Sequence, residues 1–88
     1  MSSTTRLPIT IRYFAAARAA AGVDTERVEI DAHTSIADLE GILAAAHPDL
    51  APILARCSYL RDEIALRHRD RPLLPCDTVD VLPPFAGG

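Results

Sequence analysis

At 88 residues the chain can bury one small hydrophobic core and no more, and its apolar share of 49% is ordinary for a globular domain. A formal net charge of −3, basic residues that are all arginine, and only four aromatics (Tyr13, Phe14, Tyr59, Phe85) supply neither the basic stripe nor the stacking platform of a nucleic-acid binder. Residues 1–5 are too polar for a signal peptide, and no stretch reaches the length of a membrane span, so no membrane partner and a cytoplasmic location are expected.

In chain order, residues 1–6 read as a flexible N-terminus, 7–82 as the folded domain and 83–88 as an extended tail. Leu7-Pro8-Ile9-Thr10-Ile11-Arg12-Tyr13 alternates apolar with polar, which predicts a half-buried strand with Leu7, Ile9, Ile11 and Tyr13 inward. Phe14 then points outward, either as a partner contact or as cover for a neighbouring helix. The alanine-rich stretch 15–21 predicts a short helix or turn, closed by Gly22 as a left-handed C-cap. Residues 25–30 alternate again and should pair antiparallel with the first strand as a wide hairpin.

Ser35-Ile36-Ala37-Asp38 has the capping-box pattern and starts the main helix. Its predicted apolar stripe is Ile36, Leu39, Leu43 and Ala46, widened by Ile42, and His47-Pro48 ends it. A short second helix or turn-rich cover is expected over 49–56, with Pro52 early enough to be tolerated. Two short strands, 57–60 and 64–67, flank Arg61-Asp62-Glu63, which lacks the glycine of a tight hairpin and so predicts a longer or distorted loop. After an apolar anchor, Leu73-Leu74, the last strand, 78–82, points Val79 and Val81 one way and Thr78, Asp80 and Leu82 the other. With the first and last strands side by side and parallel, the fold is α+β, a β-grasp arrangement: a mixed sheet of four to five strands with one main helix packed across it.

Cys57 and Cys76 lack CxxC spacing and a nearby histidine, so they read as small buried hydrophobes and no metal site is expected. His33, His47 and His68 read as solvated loop residues, and Asp62, Glu63 and Asp80 as a solvated acidic face or, second, as contacts for a basic partner. The most informative stretch is the end. Adjacent prolines, Pro83-Pro84, stiffen the chain beyond the strand and should hold the last four residues off the body of the fold. Phe85 and Ala86 then lead to Gly87-Gly88 and a carboxylate. Glycine at roughly 7% of residues makes such a pair a chance event in about one chain in two hundred. The combination of strand, rigid spacer, apolar residue and bare glycines is what points to a carboxylate presented to another protein's active site. With no lysine, the chain offers no side-chain amine for an isopeptide with its own kind.

Over nearly its whole length the sequence resembles the ubiquitin-like sulfur carriers, most closely the small subunits of molybdopterin synthase. Ile9-Thr10-Ile11-Arg12-Tyr13-Phe14-Ala15 with Arg18 and Gly22 is similar to that family's first strand and loop, and Ser35-Ile36-Ala37-Asp38-Leu39 to its helix start. Pro83-Pro84-Phe85-Ala86-Gly87-Gly88 matches its Pro-Pro-x-x-Gly-Gly tail, whereas carriers for thiamine and cysteine synthesis usually have one proline there. The resemblance implies a chain that is non-catalytic alone. Gly88 would be adenylated by an E1-like enzyme that uses ATP, converted to a thiocarboxylate with sulfur from a sulfurtransferase, and inserted into the large synthase subunit, where the sulfur attacks the pterin precursor. Pro83, Pro84, Phe85, Ala86 and Gly87 would thread the partner's tunnel, and Phe14 and Leu82 would dock, in a heterotetramer of two small and two large subunits. No cofactor would be bound by the chain itself. Two alternatives stay open: a carrier for thiamine, cysteine or tRNA thiolation, and a plain β-grasp interaction module whose Gly-Gly is incidental.

Overall fold

The structure, a computed structural model, describes residues 5–84. Its elements are β1 (Leu7–Tyr13), α1 (Ala15–Ala21), β2 (Thr25–Ile30), α2 (Ile36–Ala46), a 3-10 turn (Pro48–Leu50) running into α3 (Ala51–Leu54), β3 (Ser58–Arg61), β4 (Ile64–Ala65) and β5 (Thr78–Leu82). They form one mixed sheet in the order β2-β1-β5-β3-β4. β1 pairs antiparallel with β2 from Leu7↔Ile30 to Arg12↔Thr25 and parallel with β5 from Thr10↔Thr78 to Tyr13↔Val81. The first and last strands are therefore parallel neighbours at the centre, as the β-grasp arrangement requires.

The core gathers Ile9, Ile11 and Tyr13 of β1, Val79 and Val81 of β5, and Ile36, Leu39 and Leu43 of α2, with Leu50, Leu54, Tyr59 and Leu73 closing its ends. At 11 residues α2 is too short to hold itself in water, so burial of its three large side chains, each contributing about 1.5–3 kcal/mol, holds it. The capping box adds local definition. Ser35 Oγ accepts from the Asp38 N–H at 3.2 Å, and Asp38 Oδ2 accepts from the Ser35 N–H at 3.1 Å. Gly22 ends α1 in the left-handed conformation, φ +79°, donating its N–H to the Arg18 carbonyl at 2.9 Å.

Some inward assignments fail at element ends. Leu7 is 48% exposed because it opens β1 ahead of the core, beside Leu74 and Pro75. Ile42 lies on the flank of the α2 stripe and Ala46 in its last turn, and both are exposed. His47 is not a solvated loop residue. It caps α2 half-buried, with Nε2 2.8 Å from Glu26 Oε1 and its ring edge-on to Tyr13. The Tyr13 hydroxyl donates to the same Glu26 oxygen, so one carboxylate ties together β1, β2 and the end of α2. Burial, reinforced by Glu26, pushes the Tyr13 hydroxyl well above the ordinary tyrosine range.

The turn after β3 also differs from expectation. It is a tight two-residue turn, with Arg61 paired directly to Ile64 and with Asp62 (φ +49°) and Glu63 (φ +71°) both left-handed. Aspartate tolerates this region, and here its side chain is anchored as well. Asp62 Oδ1 accepts from the N–H groups of Asp77 and Thr78, each at 2.9 Å, pinning the hairpin to the start of β5. The strands shift accordingly, β3 starting and ending one residue later than expected and β4 shrinking to two residues. Glu63 has no such anchor, so Glu63→Gly should relieve left-handed strain and stabilise the domain by about 0.5–1 kcal/mol, read as a Tm rise of a few degrees.

The amides of Thr78 and Asp77 hold the Asp62 carboxyl below the usual aspartate range. The folded state therefore takes up this proton less readily than the unfolded chain. Asp62 stabilises the fold fully above the ordinary aspartate pKa of about 3.9, and loses that contribution as pH falls through its lower folded value. Asp62→Asn keeps the turn geometry and removes the charge. Its Tm should lie below that of the parent at neutral pH and converge on it in acid; a constant gap across pH would show that the charge contributes nothing.

Candidate functional site

The candidate site is the root of the tail, where β5 leaves the sheet. β5 is flanked by β1 on one side and, through Ser58↔Leu82 to Arg61↔Val79, by β3 on the other, so its exit direction is fixed from both sides. Val79 and Val81 are fully buried against the core, which sends Asp80 and Leu82 to the opposite face. The Phe14 N–H donates to the Val81 carbonyl at 3.3 Å, extending the parallel ladder one step and setting Phe14 beside Leu82. Phe14 keeps an extended backbone (φ −127°, ψ 149°), so alternation places it on the Arg12 side of β1. The two residues expected to dock a partner are thus brought to one corner of one sheet face, Phe14 exposed and Leu82 half-buried.

Beneath that corner the acidic-face expectation is corrected. Asp80 is not solvated: its side chain is 4% exposed and gripped by Arg12 in a two-pronged pair, Nε–Oδ1 2.5 Å and Nη2–Oδ2 2.6 Å. The Asp80 carboxylate in turn raises the pKa of the Arg12 guanidinium above its ordinary value. Sequence reasoning missed the pair, although its signal was present: Arg12 and Asp80 both point outward on strands expected to be adjacent, and the observed register sets them opposite each other. Asp62 is likewise occupied by the backbone of the segment that opens β5.

The first proline does not stand clear of the body. Pro83 is buried and Pro84 exposed, and both line a groove with Ala16 of α1 and Pro52, Ile53 and Arg56 at α3. Pro83 and Pro84 are placed by this seat as well as by proline stiffness, and none of the groove's four other residues pointed to it in the sequence. Phe85, Ala86, Gly87 and Gly88 lie outside the described residues. Cys57 and Cys76 are free and half-buried, less enclosed than the buried hydrophobes expected from the sequence. Burial pushes both thiols up, which makes them poor thiolates. Among the described residues no group of histidine, cysteine, aspartate and glutamate could hold a metal ion, and no helix is long and apolar enough to cross a membrane.

A mixed sheet with parallel first and last strands at its centre, a main helix packed into its core, and a C-terminal strand leaving from the middle is the β-grasp architecture of ubiquitin-like proteins. The chain belongs to the ThiS family, which it matches over residues 11–88. It is similar to the molybdopterin synthase sulfur carrier subunit of Chlamydomonas reinhardtii, with 31% identity over 83 residues covering 93% of this chain and all of the relative. In three dimensions it is similar to SAMP1 from Haloferax volcanii, with a TM-score of 0.77 at 25% identity over 92% of this chain and 99% of the other. It also shares its fold with a chain in the complex of subunits 1 and 2 of the molybdopterin-converting factor from Helicobacter pylori, with a TM-score of 0.61 at 22% identity over 93% of this chain and all of that one.

Proposed function

We propose that this chain is the sulfur carrier subunit of a molybdopterin synthase, with the carboxylate of Gly88 as the group that carries sulfur. The observation that carries the reading is the match to the algal sulfur carrier along that protein's whole length. Two features of the molecule support it. The Pro-Pro-x-x-Gly-Gly segment continues the sheet's central strand without a linker, and the two thiols that could otherwise carry sulfur are half-buried and held protonated.

A carboxylate is a poor electrophile. An E1-like partner would spend ATP to convert it to an acyl-adenylate with release of pyrophosphate. The persulfide of a sulfurtransferase would displace AMP to give an acyl disulfide, and a further thiol would reduce this to a thiocarboxylate, whose sulfur is a good nucleophile. The bare Gly87-Gly88 backbone suits a narrow tunnel in the large subunit, where the sulfur would attack cyclic pyranopterin monophosphate during molybdenum cofactor synthesis. Phe14 and Leu82 would seat against that subunit, two copies of each chain making a heterotetramer. This chain supplies position and the sulfur-bearing carboxylate; the base, the nucleotide and the pterin site belong to its partners.

The test is intact mass after incubation with an E1-like enzyme, ATP and a sulfur donor, followed by mixing with the large subunit and the pterin precursor. The expected result is the mass of one oxygen-to-sulfur exchange, then pterin conversion. No exchange would leave the fold as a plain interaction module. Exchange without conversion would move the chain to thiamine, cysteine or tRNA thiolation.

A further inference from the structure

At the sheet edge farthest from β1 lies a surface that the sulfur chemistry does not use. Among the described residues β4 has β3 on one side and no strand on the other. Its Ile64 is 72% exposed, the most exposed of the large apolar side chains among the described residues. Around it a concavity is lined by Arg61, Arg67 and Arg71 together with Leu66 and Pro72. All three arginines are exposed, and among the described residues none has a carboxylate within 4 Å.

The neighbouring charges are otherwise engaged or do not reach these three guanidiniums. Asp62 is turned toward the amides of Asp77 and Thr78, Arg69 is paired with Glu40, and Glu63 and Asp70 form no pair with the three arginines. Three cations without a carboxylate partner, Arg61 donating only to the Leu73 carbonyl at 3.4 Å, thus line one concavity of a chain whose net charge is −3. The spot is also remote from the tail root. Arg61 pairs with Val79, three residues and about 10 Å along β5 from Leu82, and β4 lies one strand further out.

We propose that this edge docks an extended acidic segment of a partner protein, its carboxylates on Arg61, Arg67 and Arg71 and an apolar side chain on Ile64 and Leu66. Two features select this occupant. An inorganic anion would leave Ile64 as exposed as before, whereas a segment alternating acidic and apolar residues uses both halves of the lining. The open side of β4 also offers a backbone edge for a strand to add to, which places alternate side chains against one face. Nucleic acid would find phosphate partners here and one imidazole, His68, but no tyrosine, phenylalanine or tryptophan platform on which successive bases could stack.

The experiment is amide chemical-shift titration of the full-length chain with a short synthetic peptide of alternating glutamate and leucine, beside a polyglutamate peptide, inorganic phosphate and a single-stranded oligonucleotide. Saturable shifts centred on residues 61–71 with the alternating peptide, tighter than with the other three probes, are expected. Arg67→Glu/Arg71→Glu should weaken that binding by at least about tenfold, and Ile64→Ser by about fivefold, with the rest of the spectrum unchanged. No saturable shift, shifts mapping elsewhere, or equal response to any of the other three probes would overturn the proposal. The tail takes no part, so a chain lacking Gly88 should titrate identically, and failure here would leave the sulfur-carrier reading standing.

Discussion

Deletion of Gly88 should abolish thiocarboxylate formation and pterin conversion while leaving Tm and the amide spectrum of the folded domain unchanged. The strand that aims the tail ends at Leu82 and the seat that steers it is built around Pro83, so nothing in the described core depends on the last residue. Shortening the tail by one residue withdraws the carboxyl group by up to about 3.3 Å. A misplacement of 1 Å at a reacting centre costs on the order of 100-fold in rate, so both partners' reactions should fall below detection. Gly87→Val tests the same geometry at full length, since a branched side chain must enter a passage read as fitting backbone alone. Normal sulfur loading and conversion by either variant would overturn the assignment of Gly88.

The second large effect is expected at the outer face. Arg12→Met leaves the Asp80 carboxylate buried with no opposing charge, and removing one member of such a pair destabilises far more than removing both. Tm should fall by several degrees in Arg12→Met and recover most of that loss in Arg12→Met/Asp80→Leu, where apolar side chains replace the whole pair. A single variant no less stable than the double would mean that Asp80 gains nothing from Arg12. The double variant also separates folding from docking. Because Arg12 remains 37% exposed above Asp80 beside the Phe14–Leu82 corner, weakened association of the recovered double variant with the large subunit would show that the partner reads this charge as well as the apolar corner.

What could be read in advance was local. Strict alternation in 7–13 and 25–30 defined the strands, Ser35 and Asp38 marked the start of α2, and Gly22 closed α1, because each signal lies within a few residues of what it controls. Phe14 and Leu82 could be picked out as outward-facing, and the two central strands bring them together. The misses share a different cause. His47 meets Glu26 across 21 residues, Asp62 meets Thr78 across 16, and Arg12 meets Asp80 across 68. A histidine before a proline, a turn without glycine and an aspartate on an outward face each suggest solvent until a distant partner is known. The groove under Pro83 was hidden for the same reason: alanine in one helix and proline, isoleucine and arginine at another become a seat only once the helices converge.

The central placement of β5 has a mechanical consequence. Traction on the tail runs straight into a strand held on one side by the parallel ladder from Thr10–Thr78 to Tyr13–Val81 and on the other by the antiparallel ladder with β3. If the start of β1 is anchored while the tail is drawn the other way, the parallel rungs are loaded in shear and share the force, instead of opening one at a time like a zipper. A partner holding the tail could therefore pull on it while the sheet stays closed, and the weak two-residue strand β4 lies one strand away from the loaded pairs.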